Sequence, residues 1–183
     1  MRFTSIHVAL GATLAFIVVE PARASLNDHL NEHISAAACR VVNSDDRSLL
    51  QFDTANNAGD WIFAPGVEDE EVLLECPIYT RFTDEDTGIR SLSELRLWYQ
   101  DTDGAGDLAF VSAELLLRRP TGVLISKGSV HSNNSNSMAR TTLSLSLGGA
   151  AMEDAQYFVQ VTLFRSTTGH NARFRGLSFF TKP

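Results

Sequence analysis

The chain has 183 residues, 44% of them hydrophobic, and its 22 acidic and 15 basic side chains give a formal charge of −7. Such a chain can bury a sizeable core. An acidic balance disfavours nucleic acid and anionic membranes as partners.

The chain opens MRFTSIHVALGATLAFIVVEPARAS. Arg2 supplies a positive start, Val8 to Val19 a mostly apolar run too short to span a bilayer, and Ala22-Arg23-Ala24 a small-x-small cleavage site. Residues 1–24 are therefore predicted to be a signal peptide. Residues 25–183 form one secreted or periplasmic domain, with no membrane insertion after cleavage. Cleavage removes Arg2, Glu20 and Arg23, so the mature chain is one unit more acidic.

Leu26, Leu30, Ile34 and Ala38 recur every four residues, with Ser25 or Asn27 before them as a cap. That spacing predicts a short helix over 27–38. On it, HLNEH (29–33) reads as H-x-x-E-H, the inverzincin zinc signature. On one helix face His29 and His33 could hold Zn²⁺ while Glu32 polarises a water. Short motifs match by chance, however, and this one stands at the front of an otherwise β-patterned chain. It has neither a third ligand nor a cleft in view, so a plain amphipathic helix is favoured.

Cys39 and Cys76 are the two cysteines. In an oxidising compartment one disulfide is the simplest reading. In the chain-entropy model it stabilises the fold by roughly 3–4 kcal/mol. Two cysteines with no close histidine lack zinc-finger spacing.

After Cys39 the pattern changes. SLLQFD, DWIFA and EEVLLEC read as strands separated by the turn-rich NSDD, TANNAG and PGVEDE, and Pro77 closes the last of them. From residue 89 the runs lengthen: SELRLWYQD, LAFVSAELLLRR, GVLISKGSV, RTTLSLSLG, AQYFVQVTLFRS and ARFRGLSFF. Alternation puts Leu143, Leu145 and Leu147 on one face. It puts Tyr157, Val159, Val161 and Leu163 on another, as half-buried antiparallel strands require. HSNNSNS (131–137) reads as a polar loop with no means of packing. The fold class is all-β: an antiparallel β-sandwich, jelly-roll or immunoglobulin-like, with a short N-terminal helix.

Cys76-Pro77-Ile78, LSELRLWYQD, VSAELLLR, TLSLSL, AQYFVQVTLF and FRGLSFF follow one another in that order. In this they resemble a group of uncharacterised secreted bacterial β-sandwich proteins with a Cys…Cys-Pro-Ile segment. The resemblance covers roughly residues 36–180. It implies export and a sandwich, and no activity.

Two surface sites suggest themselves. DTDGAGD (101–107) sets Asp101, Asp103 and Asp107 around two glycines, the hard oxygens and sharp turns that Ca²⁺ needs. A hairpin between two strands explains the same residues. Asp84, Glu85 and Asp86 form another acidic loop. In ELRLWYQD, Leu95, Leu97 and Tyr99 share the core face, which turns Arg96, Trp98 and Gln100 outward. An indole flanked by hydrogen-bonding side chains suits a sugar ring; large aromatics usually end up mostly buried, so a helix or second sheet covering Trp98 is the favoured alternative. Phe110 and Glu114 of the following strand are expected to extend that platform. Nucleophilic catalysis has little support. There is no G-x-S-x-G elbow, and His131 and His170 sit in loop-like stretches. No cofactor is required, and calcium is the ion compatible with the favoured reading. The sequence thus favours a secreted, non-catalytic protein binding a glycan or cell-surface polymer. A small hydrolase (zinc at His29, Glu32 and His33, or serine-based) and a structural or adhesive surface protein are the alternatives.

Overall fold

A computed structural model describes residues 29–55, 59–78, 91–138, 141–151 and 156–181. The expected signal peptide, the Ser25 and Asn27 caps and the acidic loop at Asp84–Asp86 lie outside these residues. The described strands are β1 (His29–Ser35), β2 (Arg40–Val41), β3 (Leu50–Asp53), β4 (Asp60–Phe63), β5 (Glu70–Pro77), β6 (Ser91–Asp101), β7 (Ala109–Arg118), β8 (Leu124–His131), β9 (Thr141–Ala151), β10 (Gln156–Arg165) and β11 (Ala172–Thr181). No helix among the described residues is long and apolar enough to cross a membrane.

The strands form two antiparallel sheets. One runs β3-β4-β11-β6-β9, with β1 also paired to β11; the other runs β2-β5-β10-β7-β8. The pairs β4·β11, β5·β10, β6·β9 and β7·β8 are nested like one long hairpin rolled over itself. That is a jelly roll, which decides between the two topologies the strand pattern allowed.

The alternating residues face one another between the sheets. Leu95, Leu97 and Tyr99 of β6 are fully buried, as are Val111 and Ala113 of β7 and Val159, Val161 and Leu163 of β10. Burying each large apolar side chain contributes about 1.5–3 kcal/mol. Cys39 is bonded to Cys76, as expected. The bond fastens the short β2, where the chain crosses between sheets, onto β5.

Three expectations change. The helix over 27–38 is instead strand β1 followed by a 3-10 turn, Ala36–Ala38, capped by the Ser35 hydroxyl. Spacing of four is also even, so the sequence pattern serves a strand as well as a helical stripe, although a bulge between Leu30 and Glu32 breaks the strict alternation within β1. The edge of β11 supplies the hydrogen-bond partners that decide for the strand. DTDGAGD is not a hairpin, because β6 and β7 belong to opposite sheets and the loop turns a corner between them. HSNNSNS does pack. Ser132 is fully buried, donates to Asp101 Oδ2 at 2.6 Å and accepts from the Val111 amide at 3.0 Å. It locks the loop after β8 onto that corner.

Candidate functional site

β11 has β6 along one side. Along the other it pairs with β4 at Arg173 and Phe174, then with β1 from Gly176 to Thr181. At this seam β11 carries a bulge. Phe174 pairs with Tyr99 and Gly176 with Trp98, so Arg175 is the extra residue. A bulge frees and re-aims the side chain of the inserted residue. Gly176 (φ +153°) allows the close approach of β1, since a Cβ there would lie 2.5 Å from the Ile34 carbonyl oxygen. Only glycine accepts both constraints comfortably.

Trp98, opposite the bulge, is 36% exposed. Its Nε1 donates to Ser178 Oγ at 2.9 Å, and the same hydroxyl lies 3.0 Å from His33 Nδ1. An indole N–H can only donate, so Ser178 accepts from Trp98 and its own proton is free for His33. The His33 and Trp98 rings meet edge to face, with centroids 6.4 Å apart. One buried hydroxyl thus fixes both rings. Together with Ser35 and Arg175 they line a shallow pocket of about 270 Å³. Arg175 is tethered at its inner end, where Nε donates to Oδ1 of the fully buried Asp60 at 3.1 Å.

The expected binding trio is only partly assembled. Trp98 lines the pocket. Arg96 does not: it donates twice to Glu94 Oε1, at 3.0 and 2.9 Å, and stacks on Phe180. Gln100 is half-buried on the outer face and lies across from Arg173, away from the pocket. Phe110 and Glu114 do not extend the platform, because β7 is in the other sheet. Ser35 and Arg175 were missed. Alternation along one strand reveals its own face and says nothing about which distant strands lie beside it. The Gly in FRGL was the available signal, since an isolated strand glycine marks a bulge or close approach.

The other candidates do not converge. In a strand the Cα atoms of His29 and His33 are separated by ~13 Å along the chain direction, against about half that in a helix. That separation rules out the shared zinc of an H-x-x-E-H helix, and the His33 imidazole is committed to Ser178. Asp101, Asp103 and Asp107, expected as a calcium set, turn to separate protein donors. Asp101 accepts from Ser132 and from the Asp103 amide, Asp103 from the Leu108 amide at 2.7 Å, and Asp107 from Asn133 at 3.3 Å. Among the described residues no group of three His, Cys, Asp or Glu side chains is placed to hold a metal ion.

No protein-family model and no curated protein sequence matches the chain. Solved structures of similar shape include the xylan-binding module CBM86 of Roseburia intestinalis, at 10% identity, TM-score 0.43, and coverage of 82% of this chain and 95% of that one. The CBM36-1 domain of a multidomain xylanase from the hindgut metagenome of Trinervitermes trinervoides matches at 6% identity, TM-score 0.43, and coverage of 84% and 96%. A truncated AlyQ with CBM32 and alginate lyase domains matches at 12% identity, TM-score 0.44, and coverage of 85% of this chain and 35% of that one.

Proposed function

We propose that this is an exported, non-catalytic saccharide-binding β-sandwich whose ligand lies against Trp98. The observation that carries this reading is an exposed indole whose polar edge is satisfied internally by Ser178. Its apolar face is left for sugar C–H groups, while Ser35, His33 and Arg175 stand round the pocket as hydrogen-bonding groups. Bracing by Ser178 and Asp60 reduces the entropy lost when these side chains engage a ligand.

Affinity electrophoresis and calorimetry against soluble xylan, β-glucan, mannan and alginate test it. At least one polysaccharide is expected to bind and to change Trp98 fluorescence, and Trp98→Ala should weaken binding while leaving the melting temperature within a few degrees. Trp61 serves as an internal reference, since its Nε1 is bonded to the Ala36 carbonyl and its ring packs on Phe52. Undiminished binding by Trp98→Ala, or no binding across the panel, would defeat the proposal.

A further inference from the structure

We infer that the outer face of the five-stranded sheet holds a second saccharide site, in a hollow between β7, β8 and β10 that takes an uncharged, hydroxyl-rich sugar chain. The inference shares its ligand class with the reading above and stands on separate residues.

The hollow, of about 220 Å³, is lined chiefly by Ser112, Glu114, Ser129, His131, Gln160 and Thr162. Their strand neighbours Val111, Ala113, Val159 and Val161 are fully buried, so alternation turns these side chains outward. Strand register arranges them in rows. Phe110 pairs with Phe164, Ser112 with Thr162 and His131, Glu114 with Gln160 and Ser129, and Leu116 with Phe158. Rows two residues apart are ~7 Å apart, so the first three rows span ~14 Å, room for two or three linked sugar rings, while the fourth, Leu116 with Phe158, is buried.

The order of the rows carries the chemistry. At one end Phe110 stacks on Phe164 with centroids 5.1 Å apart and meets His131 at 4.5 Å. This is a braced apolar shelf for a ring face. Next come hydroxyls, then a carboxylate beside an amide. No hydrogen bond or ion pair to a described residue occupies the side chains of Ser112, Glu114, Ser129, Gln160 or Thr162. Their capacity is left to water or to a ligand. A carboxylate can accept two hydroxyls at once, and the neighbouring amide both donates and accepts. At the far end Arg118 lies over Phe158 and closes the track.

Charge selects the class of sugar. Glu114 is the one acidic side chain lining the hollow, and no Lys or Arg lines it. His131 adds no cation near neutral pH, because burial holds its pKa below the ordinary imidazole value. A uronate would therefore meet an uncompensated like charge, whereas hydroxyls meet an acceptor.

The test is a ¹⁵N-amide NMR titration of the exported chain with cellohexaose, xylohexaose and mannohexaose, with oligogalacturonate as the anionic comparison. At least one neutral hexaose is expected to shift the amides of residues 112, 114, 129, 160 and 162. Glu114→Gln should weaken that response about tenfold or more, as loss of a hydrogen bond to a charged group does, and Phe110→Ala should weaken it by removing the ring that forms the apolar shelf. Trp98→Ala should leave it unchanged. Shifts confined to β1, β6 and β11 would overturn this site and leave the Trp98 reading standing. Shifts on β7, β8 and β10 without any near Trp98 would support this site and count against the other. A stronger response to oligogalacturonate would overturn the ligand class, and no response to any probe would overturn the site.

Discussion

Asp101 is fully buried, and burial holds its carboxyl pKa above the ordinary value although Ser132 and the Asp103 amide both donate to it. A carboxyl raised in the folded state binds its proton more readily there than in the unfolded chain. Its ionisation therefore costs stability at neutral pH, and that cost disappears as pH falls through the raised pKa towards the ordinary 3.8. Asp101→Asn removes the titration and keeps the shape, since Ser132 can reverse its hydrogen bond. In urea melts from pH 7 to 3.5, wild type is expected to gain stability relative to Asp101→Asn as the solution is acidified. A constant or opposite difference would show that Asp101 is not raised. The sequence displayed this residue as one of three loop carboxylates. Its burial depends on Ser132, which is 31 positions away in a stretch whose polar composition predicts an unpacked loop.

At the scale of the element, β11 is where the site is made. Leu177 and Phe179 lie in the core with no exposure, so the strand itself was readable from ARFRGLSFF. The bulge at Arg175–Gly176 was not, because it becomes visible only when β6 fixes the register on one side and β1 covers the other. Gly176→Ala tests this directly. A Cβ would strike the Ile34 carbonyl, and the backbone would be held in a region that side chains avoid. The expected cost is of order 1–3 kcal/mol in unfolding free energy, with faster amide exchange across β1 and loss of the Trp98 pocket. A variant as stable as wild type, with β1 still protected, would contradict it. The same element logic explains β1: an even spacing of apolar residues serves helix and strand equally, and a free sheet edge chooses between them.

At the scale of the whole molecule, two sheets share one core and the chain crosses between them repeatedly. The Cys39–Cys76 bond closes a 37-residue span that contains β2, β3, β4 and most of β5. Of the described strands, β2, β3 and β4 are the shortest, with the least area to hold them. Replacing both cysteines by serine should therefore cost roughly 3–4 kcal/mol, or about 10 °C in melting temperature for a domain of this size. Intact mass of the purified protein checks the oxidised pair, and the same measurement tests the expected mature N-terminus at Ser25. Unchanged melting in the double serine variant would mean that the bond constrains nothing the core does not already hold. The crossings also set the two candidate sites on separate sheets: Trp98 on the outer face of one, Glu114 on that of the other. Read along the sequence they are sixteen residues apart and looked like one platform.

What the sequence determined by itself was local. Alternation alone identified the faces of β6 and β10 and put Trp98 opposite the core face of its strand, because a period of two is a property of neighbouring residues; that nothing covers that face at Trp98 came from the tertiary structure. Two cysteines in an exported pattern were enough to expect their bond. The tertiary structure decided what depends on partners distant in the chain. It chose strand over helix for residues 29–35 and corner over hairpin for DTDGAGD. It buried Ser132 and Asp101 together, and it brought Ser35 and Arg175, instead of Arg96 and Gln100, beside Trp98. In each case a hydrogen-bonding group had several local options of similar free energy, and the option taken was the one a strand from elsewhere in the chain could satisfy.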